Sequence, residues 1–241
     1  MLFVPAPRLR TGHNGAAATP ATWSPTPAAC RPRSCPARNR VRDGKPVCYR
    51  DADIRLHRKT NKGDGSFVGP SEIIATPVFY HDRVYVATGQ DPQHGRGRGI
   101  LVCIDATKTG DVTRIGKVWT YEQIGHSLST VSIADGLLYV AETFGKLHCL
   151  DAATGKPCWV YETGAESWGS TLVADGKVYL GTKKGLFVFR AGRTVKLLSQ
   201  IPVGSPIHCT PVVANGTLYV ATHKYLWAVQ APPAVAKRAG Q

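Results

Sequence analysis

The sequence lacks the long apolar runs of a membrane protein and the periodicity of a helical one. No run approaches the ~18–20 apolar residues that a membrane-spanning helix needs. The opening residues, MLFVPAPRLR, place prolines and arginines where a secretory signal would carry its apolar stretch, so we expect no export signal here. No segment keeps a helical apolar period of ~3.6 residues, and we therefore predict very little helix.

Acidic residues are scarce mainly in the first quarter of the chain. The 241 residues carry a net charge of +14, but residues 1–62 hold 13 Lys and Arg against 3 Asp and Glu, whereas residues 63–241 hold 17 against 13. The basic residues of this head are scattered among prolines and alanines without interleaved aromatics, so we expect no nucleic-acid partner. Such a composition cannot bury enough apolar surface to order itself, and we predict residues 1–62 to be largely disordered or artefactual.

The seven cysteines are odd in number, so they cannot all pair within the chain. Cys103 and Cys149 lie in the middle of apolar strands, which is typical of small buried side chains. Cys149 and Cys158 flank one tight turn, and both a disulfide and two free thiols remain open for this pair. Cys30 and Cys35 have no matching Cys or His pair nearby, so we expect no zinc site.

One short segment occurs three times at a spacing of 40 residues. The copies are STVSIADGLLYV at 129–140, GSTLVADGKVYL at 169–180 and CTPVVANGTLYV at 209–220, with a looser copy at 75–86. Their central pairs, Asp-Gly or Asn-Gly, tolerate the positive φ of type I′ turns, so each copy predicts two antiparallel strands joined by a tight turn. A period of this length indicates units that bury their faces only against neighbouring units.

We predict an all-β fold, a partial β-propeller of about four four-stranded antiparallel blades. The predicted blades are 66–122, 129–162, 169–201 and 209–229, followed by a tail at 231–241. Leu147 and Phe187 lie in the predicted third strands of the second and third blades, and we expect them to occupy the same position of the repeat. The fourth unit stops after its third strand, and residues 46–50 are the plausible segment to supply the outer strand that it lacks.

The segment FGKLHCLDAATGKPCWVY at 144–161 resembles the repeat of the PQQ-binding-like, or quinoprotein-type, β-propellers. In that family a strand is followed by Asp, a turn closing on Thr-Gly-Lys, and a Trp that docks between neighbouring blades. The residues that match this structural docking motif are Asp105, Thr109, Gly110, Trp119, Asp151, Thr154, Gly155, Lys156 and Trp159. In the third unit residues 190–193 replace the Asp and its turn, and Ser199 takes the place of the Trp.

The resemblance implies two kinds of function. Some members are dehydrogenases that hold pyrroloquinoline quinone (PQQ) and Ca²⁺ and use a catalytic Asp, whereas others are cofactor-free scaffolds, such as the lipoprotein of the outer-membrane assembly machinery. We assign no catalytic residue and no metal ligand, and we favour a non-catalytic scaffold without a cofactor. The alternatives are a fragment of a PQQ- and calcium-dependent alcohol dehydrogenase and a truncated remnant without independent activity.

The favoured reading implies a protein partner or self-association through exposed strand edges, with candidates near 73–80 and 225–229. The resemblance also implies a periplasmic or other extracytoplasmic location.

A low-specificity set of ligand-binding candidates comes from aligning the first strand of each blade, which lines the central channel in propellers. The channel-facing candidates obtained in this way are Thr76, Thr130, Trp168, Ser170, His208 and Thr210. Hydroxyls beside an indole and an imidazole could receive a planar ligand by stacking. The alternative, which we favour, is that the hydroxyls satisfy crowded strand ends and that Trp168 fills a gap between blades.

Overall fold

A computed structural model describes residues 41–42, 45–48, 73–89 and 98–230 of the chain. The predicted disorder of residues 1–62 and the predicted tail at 231–241 fall outside these ranges, apart from two short strands, β1 (Val41–Arg42) and β2 (Lys45–Cys48). The described ranges contain strands and turns but no helix, and so no helix there is long and apolar enough to cross a membrane.

Four antiparallel sheets follow one another along the chain, three with four strands and one with three. The first sheet consists of β3 (Val78–Tyr80), β4 (Arg83–Gly89), β5 (Gly99–Asp105) and β7 (Lys117–Tyr121), and β6 (Gly110–Asp111) lies in an insertion before β7. The second sheet consists of β8 (Ser132–Ala134), β9 (Leu137–Ala141), β10 (Lys146–Asp151) and β11 (Pro157–Glu162), and the third of β12 (Leu172–Ala174), β13 (Lys177–Thr182), β14 (Gly185–Arg190) and β15 (Leu197–Ile201). The fourth sheet consists of β16 (Val212–Ala214), β17 (Thr217–Ala221) and β18 (Leu226–Gln230). The predicted all-β, partial β-propeller fold is confirmed.

The tight turns have the backbone that the repeated sequence predicts. Asp135 and Gly136, between β8 and β9, have φ values of 50° and 72°, and the corresponding pairs of the third and fourth sheets are alike. Positive φ at both central positions is the mark of the type I′ turn, which matches the twist of the flanking strands. The turn thus fixes the pairing register of each hairpin, as in Ala134 opposite Leu137.

The apolar core lies between consecutive sheets. Leu101 of the first sheet packs with Leu138 and Leu150 of the second, and all three are fully buried. A second cluster joins the second and third sheets, and a third cluster, which includes Val188 and Val220, joins the third and fourth. Each inner sheet therefore buries both of its faces against neighbours, as stacked blades must.

A difference of one residue in the turn before the third strand changes which side chains correspond. His148 pairs with Val140 in the second sheet, whereas Phe187 pairs with Leu180, the residue 40 positions after Val140. His148, and not Leu147, therefore corresponds to Phe187, and the predicted equivalence of Leu147 and Phe187 is wrong. Leu147 and Phe187 instead pack in the same cluster because they face each other from adjacent sheets.

The segment predicted to complete the last blade lies elsewhere. Part of residues 46–50 forms β2, but β2 pairs with β1 and, in parallel, with β6, where Val47 lies opposite Gly110. It therefore extends the insertion of the first blade rather than the fourth sheet. In the part of the chain that the structure describes, β17 is the only hydrogen-bonded neighbour of β18.

His148 is a buried polar residue where the third sheet has Phe187, and it is satisfied by a network across two sheets. Its Nε2 donates to Glu142 Oε1 at 2.8 Å, and the Tyr121 hydroxyl lies 3.1 Å from its Nδ1. The backbone N–H of Gly125 donates to the same carboxylate oxygen at 2.7 Å. Burial by itself raises the pKa of Glu142, but the hydrogen bonds from His148 and Gly125 outweigh it and hold that pKa below its ordinary value.

This network predicts a contribution of Glu142 to acid sensitivity. Because its folded pKa lies below the unfolded value of about 4.3, Glu142 stabilises the fold above that value, and the contribution is lost as pH falls through the folded pKa. We expect the urea midpoint of Glu142→Gln to fall less steeply than that of the wild type between about pH 5 and pH 3. The exposed Glu162→Gln is the control and should keep the wild-type slope. Equal slopes for all three proteins would contradict the prediction.

Candidate functional site

The docking turn of the second blade is built on Asp151. Its Oδ1 accepts hydrogen bonds from the backbone N–H groups of Ala153 and Thr154 and from the Thr154 hydroxyl, at 3.0–3.1 Å. Gly155 closes the turn with φ 71°, and its N–H donates to the Asp151 carbonyl at 2.8 Å. The Lys156 carbonyl accepts from the Asp151 N–H at 2.9 Å. A short polar side chain and a glycine thus shape a loop that can receive a flat ring.

Trp119 of the preceding blade rests on this turn. Its Nε1 donates to the Ala152 carbonyl at 3.2 Å, and a Cβ added to Gly155 would lie 2.5 Å from the indole ring. Gly155 is therefore required twice, by the positive φ of the turn and by the approach of the ring. Tyr85 donates to the same carbonyl at 3.1 Å, so two aromatic residues of the first blade meet one turn of the second.

Trp159 repeats the contact one blade later, although the receiving turn lacks the Asp and Thr of the motif. Its Nε1 donates to the Gly192 carbonyl at 2.9 Å, and the Gly192 N–H donates to the Tyr139 hydroxyl at 2.8 Å. Arg193 donates to Asp151 at 2.6 Å and thereby holds the pKa of that carboxyl below its ordinary value. The third blade can still accept the hydrogen bond from Trp159, because the acceptor is a backbone carbonyl and does not require the Asp and Thr side chains of the docking motif.

In the first blade the stretched turn uses other residues than the alignment assigns. Asp105 accepts from the N–H and the hydroxyl of Thr107, at 2.9 and 2.6 Å, rather than from Thr109. Gly110 has a positive φ of 80°, but it begins β6 opposite Val47 and would meet no neighbour if it carried a Cβ. The extra residues of this turn serve the pairing with β2.

The hydroxyl candidates of the first strands connect consecutive blades. The Thr76 N–H donates to Thr130 Oγ1 at 3.1 Å, the Thr130 N–H to Ser170 Oγ at 2.9 Å, and the Ser170 N–H to Thr210 Oγ1 at 2.9 Å. Each hydroxyl from Thr130 onward therefore accepts the backbone N–H of the blade before it. We call these four residues the hydroxyl row.

The two ring candidates lie together at the contact of the third and fourth blades. Trp168 and His208 stack with ring centroids 5.7 Å apart and planes inclined by 22°. His208 Nδ1 lies 3.0 Å from His223 Nε2, and Glu166 accepts from the Trp168 Nε1 at 3.4 Å and pairs with Lys183. Trp168 keeps 36% of its surface exposed.

We call Glu166, Trp168, Lys183, His208 and His223 the ring cluster. Lys183 and His223 escaped the alignment of the first strands because they lie in other loops, whereas Glu166 lies two residues before Trp168. Lys183 follows β13 and His223 follows β17, 40 residues later, so the repeat itself carried a signal for both. Burial lowers the pKa of His208, and the charges of His223 and Lys183 lower it further. The neutral imidazole is thereby favoured.

A metal ion would need several converging ligands, such as the six or more oxygens that surround Ca²⁺. Within residues 73–89 and 98–230, no three His, Cys, Asp or Glu side chains come together in a way that could hold one. In the hydroxyl row, the oxygens of Thr130, Ser170 and Thr210 already accept backbone hydrogen bonds. The hydroxyl row holds no carboxylate, the charged ligand that Ca²⁺ usually takes.

A sequence profile of the family described as outer membrane protein assembly factor BamB matches residues 54–161 and 99–198, which together span more than half of the chain. Among solved structures, BamB from Moraxella catarrhalis is similar at 15% identity with a TM-score of 0.50, over 65% of this chain and 42% of that one. The quinohemoprotein alcohol dehydrogenase from Comamonas testosteroni aligns at 19% identity with a TM-score of 0.47, over 63% of this chain and 29% of that one. The chain thus spans less than half of either relative. No curated protein sequence matches it.

The docking turn predicts different effects for two glycine substitutions. Gly155→Ala and Gly136→Ala both place a side chain at positive φ, which costs about 1–2 kcal/mol, but only the first also meets the indole of Trp119. We expect Gly155→Ala to lower the free energy of unfolding by a further ~1–3 kcal/mol, the usual cost of overpacking. Urea unfolding followed by circular dichroism measures both variants. Equal losses would show that the indole does not restrict position 155.

The hydroxyl row predicts that a hydroxyl, rather than serine itself, is needed at position 170. Ser170→Ala leaves the Thr130 N–H without its acceptor, which should cost about 1–3 kcal/mol of unfolding free energy. Ser170→Thr retains the acceptor, as Thr130 and Thr210 do in their own blades, and should stay within ~0.5 kcal/mol of the wild type. Urea unfolding compares the two, and a threonine variant as unstable as the alanine one would contradict this role.

Proposed function

The chain belongs to the family described as outer membrane protein assembly factor BamB, and on this basis we propose that it is a non-catalytic scaffold that binds protein segments at the open edge of its last blade. The observation that carries the proposal is the pairing of the third strands. β5, β10 and β14 each have a hydrogen-bonded strand on both sides. β18 occupies the same place in the fourth sheet, and among the described residues it has one on one side only.

An open strand edge attracts an extended peptide for a definite physical reason. Its outward N–H and C=O groups lack strand partners, and an added strand satisfies them while alternate side chains give specificity. In the third sheet β15 takes this place beside β14. A segment of another chain that lies beside β18 as β15 lies beside β14 would complete the fourth blade.

The side chains of the fourth sheet support the proposal. Leu226 is 70% exposed, whereas Leu186, its counterpart in the third sheet, is 4% exposed because the fourth sheet covers it. Val212, Tyr225 and Val229 are also more than half exposed. Apolar surface of this extent beside an unpaired edge is typical of a protein-binding surface.

We propose that the protein acts without a cofactor and outside the cytoplasm. The family description, an outer-membrane assembly factor, supports the location and a role in protein interaction. The alternative, a dehydrogenase fragment, would require PQQ and Ca²⁺, which the scaffold function does without. Added PQQ with Ca²⁺ should therefore give neither a quinone absorbance change nor dye-linked alcohol oxidation.

Self-association tests the open edge with the chain itself as the extended partner. We expect light scattering after size exclusion to show species larger than one chain that grow with protein concentration. Leu226→Lys places a charge on the edge strand and should weaken this association by about tenfold or more, because charged side chains oppose edge pairing.

Ile115→Lys is the matched control, because Ile115 is 62% exposed but lies in the first blade. It should associate like the wild type. A compact monomer at every concentration would overturn self-association at this edge, and equal weakening by both substitutions would place the association elsewhere.

A further inference from the structure

The second blade holds two cysteine side chains at a β-bulge. In the pairing of β10 with β11, Cys149 lies opposite Trp159 and Leu150 opposite Pro157, so Cys158 is the additional residue. At a bulge two residues of one strand face a single residue of the other. Cys149, Cys158 and Trp159 pack against the same apolar cluster between the second and third sheets, which places both thiols on one face of the blade.

Both thiols are free, and each contacts the third blade. Cys149 Sγ is 3.8 Å from the Gly192 carbonyl oxygen, and Cys158 Sγ is 3.7 Å from Nη1 of the next residue, Arg193. Burial raises the pKa of Cys149 to about 12, and the adjacent Cys158 side chain contributes to that rise. Cys158 and Trp159 together face Cys149 at the bulge, so the two cysteines are neighbours across the strand pair rather than a directly opposed pair. A disulfide between them needs Cα atoms about 4.4–6.8 Å apart.

The same bulge in the other blades shows that the fold does not require two cysteines. In the first blade Cys103 lies opposite Trp119, and Val118 takes the place of Cys158. In the third blade Val188 lies opposite Ser199, and Leu198 is the additional residue. Cys103 beside Val118 is therefore an internal control that has one thiol in the same backbone.

We propose that Cys149 and Cys158 form a reversible disulfide that ties β10 to β11 at the bulge. The disulfide is a modification site formed by thiol exchange with a small-molecule disulfide such as oxidised glutathione. This inference does not depend on the proposed scaffold function.

Cys158 and Cys149 react in different steps of the thiol exchange because they differ in burial. Cys158 is half-buried and lines a pocket of about 350 Å³ together with Asp151, Lys156 and Arg193. Asp151 pairs with Arg193, so Lys156 is the lining cation that attracts a carboxylate of glutathione. The Cys158 thiol loses its proton to solvent, and its sulfur attacks one sulfur of oxidised glutathione, which releases one glutathione thiolate. Cys149, which is fully buried, then loses its proton and attacks the Cys158 sulfur of the mixed disulfide, which releases the second glutathione. Two thiols are oxidised and one glutathione disulfide is reduced.

The bond would stabilise the contact between the second and third blades. The bulge presents Trp159 to the Gly192 carbonyl, and a covalent link across it restricts the unfolded chain and holds the bulge in place. The oxidised protein should therefore unfold at a higher urea concentration than the reduced protein, and dithiothreitol should reverse the shift.

Peptide mapping tests the proposal directly. The reduced full-length chain is incubated at low concentration with oxidised glutathione, unfolded in urea with excess iodoacetamide so that buried thiols are also alkylated, and digested with trypsin. Trypsin does not cleave the Lys156-Pro157 bond, so residues 147–177 form one peptide that contains both cysteines and no other. We expect this peptide to be two hydrogen atoms lighter than the dithiol and unalkylated, while the peptide 99–108 with Cys103 is alkylated.

Three variants complete the experiment. Cys158→Ser should leave Cys149 alkylated, and Cys103→Ser should leave the disulfide unchanged. Val118→Cys places a second thiol at the bulge of the first blade and should create a disulfide with Cys103, which tests the bulge geometry without either native partner. Alkylation of both Cys149 and Cys158, a lasting glutathione adduct on Cys158, or a link from either residue to another cysteine would overturn the proposal.

Discussion

A tryptophan that leaves one blade and rests on the turn of the next holds these sheets in order. Trp159 is 8% exposed, and burying about 200 Å² of such a side chain stabilises the fold by up to roughly 5 kcal/mol. Its hydrogen bond to the Gly192 carbonyl contributes about 1 kcal/mol. Apolar burial therefore supplies most of the energy, and the hydrogen bond determines where the ring lies. This division explains why the third blade can lose the Asp and Thr of the turn and still receive Trp159.

The docking tryptophans and the hydroxyl row run in the same direction along the chain. Trp119 and Trp159 each donate to a carbonyl of the following blade, and the N–H groups of Thr130 and Ser170 each donate to a hydroxyl of the following blade. In these two sets of links each blade offers acceptors to the blade before it, whereas the Gly192 N–H and Arg193 donate back to Tyr139 and Asp151 of the preceding blade. After the third blade the tryptophan series ends, because Ser199 stands where a docking Trp would stand. The third and fourth blades meet through the hydroxyl row, the ring cluster and an apolar cluster.

Sequence reasoning predicted what depends on short-range chemistry and missed what depends on the lengths of turns. The Asp-Gly and Asn-Gly pairs need positive φ whatever surrounds them, so the hairpins and the number of sheets could be derived from the repeat. The correspondence of Leu147 with Phe187 failed because one additional residue before a strand moves every side chain to the other face. Thr107 replaced Thr109 for the same reason, since the stretched turn has room for more than one hydroxyl.

Longer-range pairings were not accessible to the repeat at all. The parallel contact of β2 with β6 joins residues about 60 positions apart, and neither strand belongs to the repeated unit. The ring cluster shows the intermediate case. Lys183 and His223 occupy equivalent turns and meet Glu166 and His208 within their own blades. Only the packing of the third blade against the fourth brings Trp168 onto His208. A repeat specifies each blade and its contact with the next one. What differs between blades, such as a second thiol at one bulge or a missing strand at one edge, follows from single positions. Those positions are where this chain can acquire properties that the shared fold does not give it.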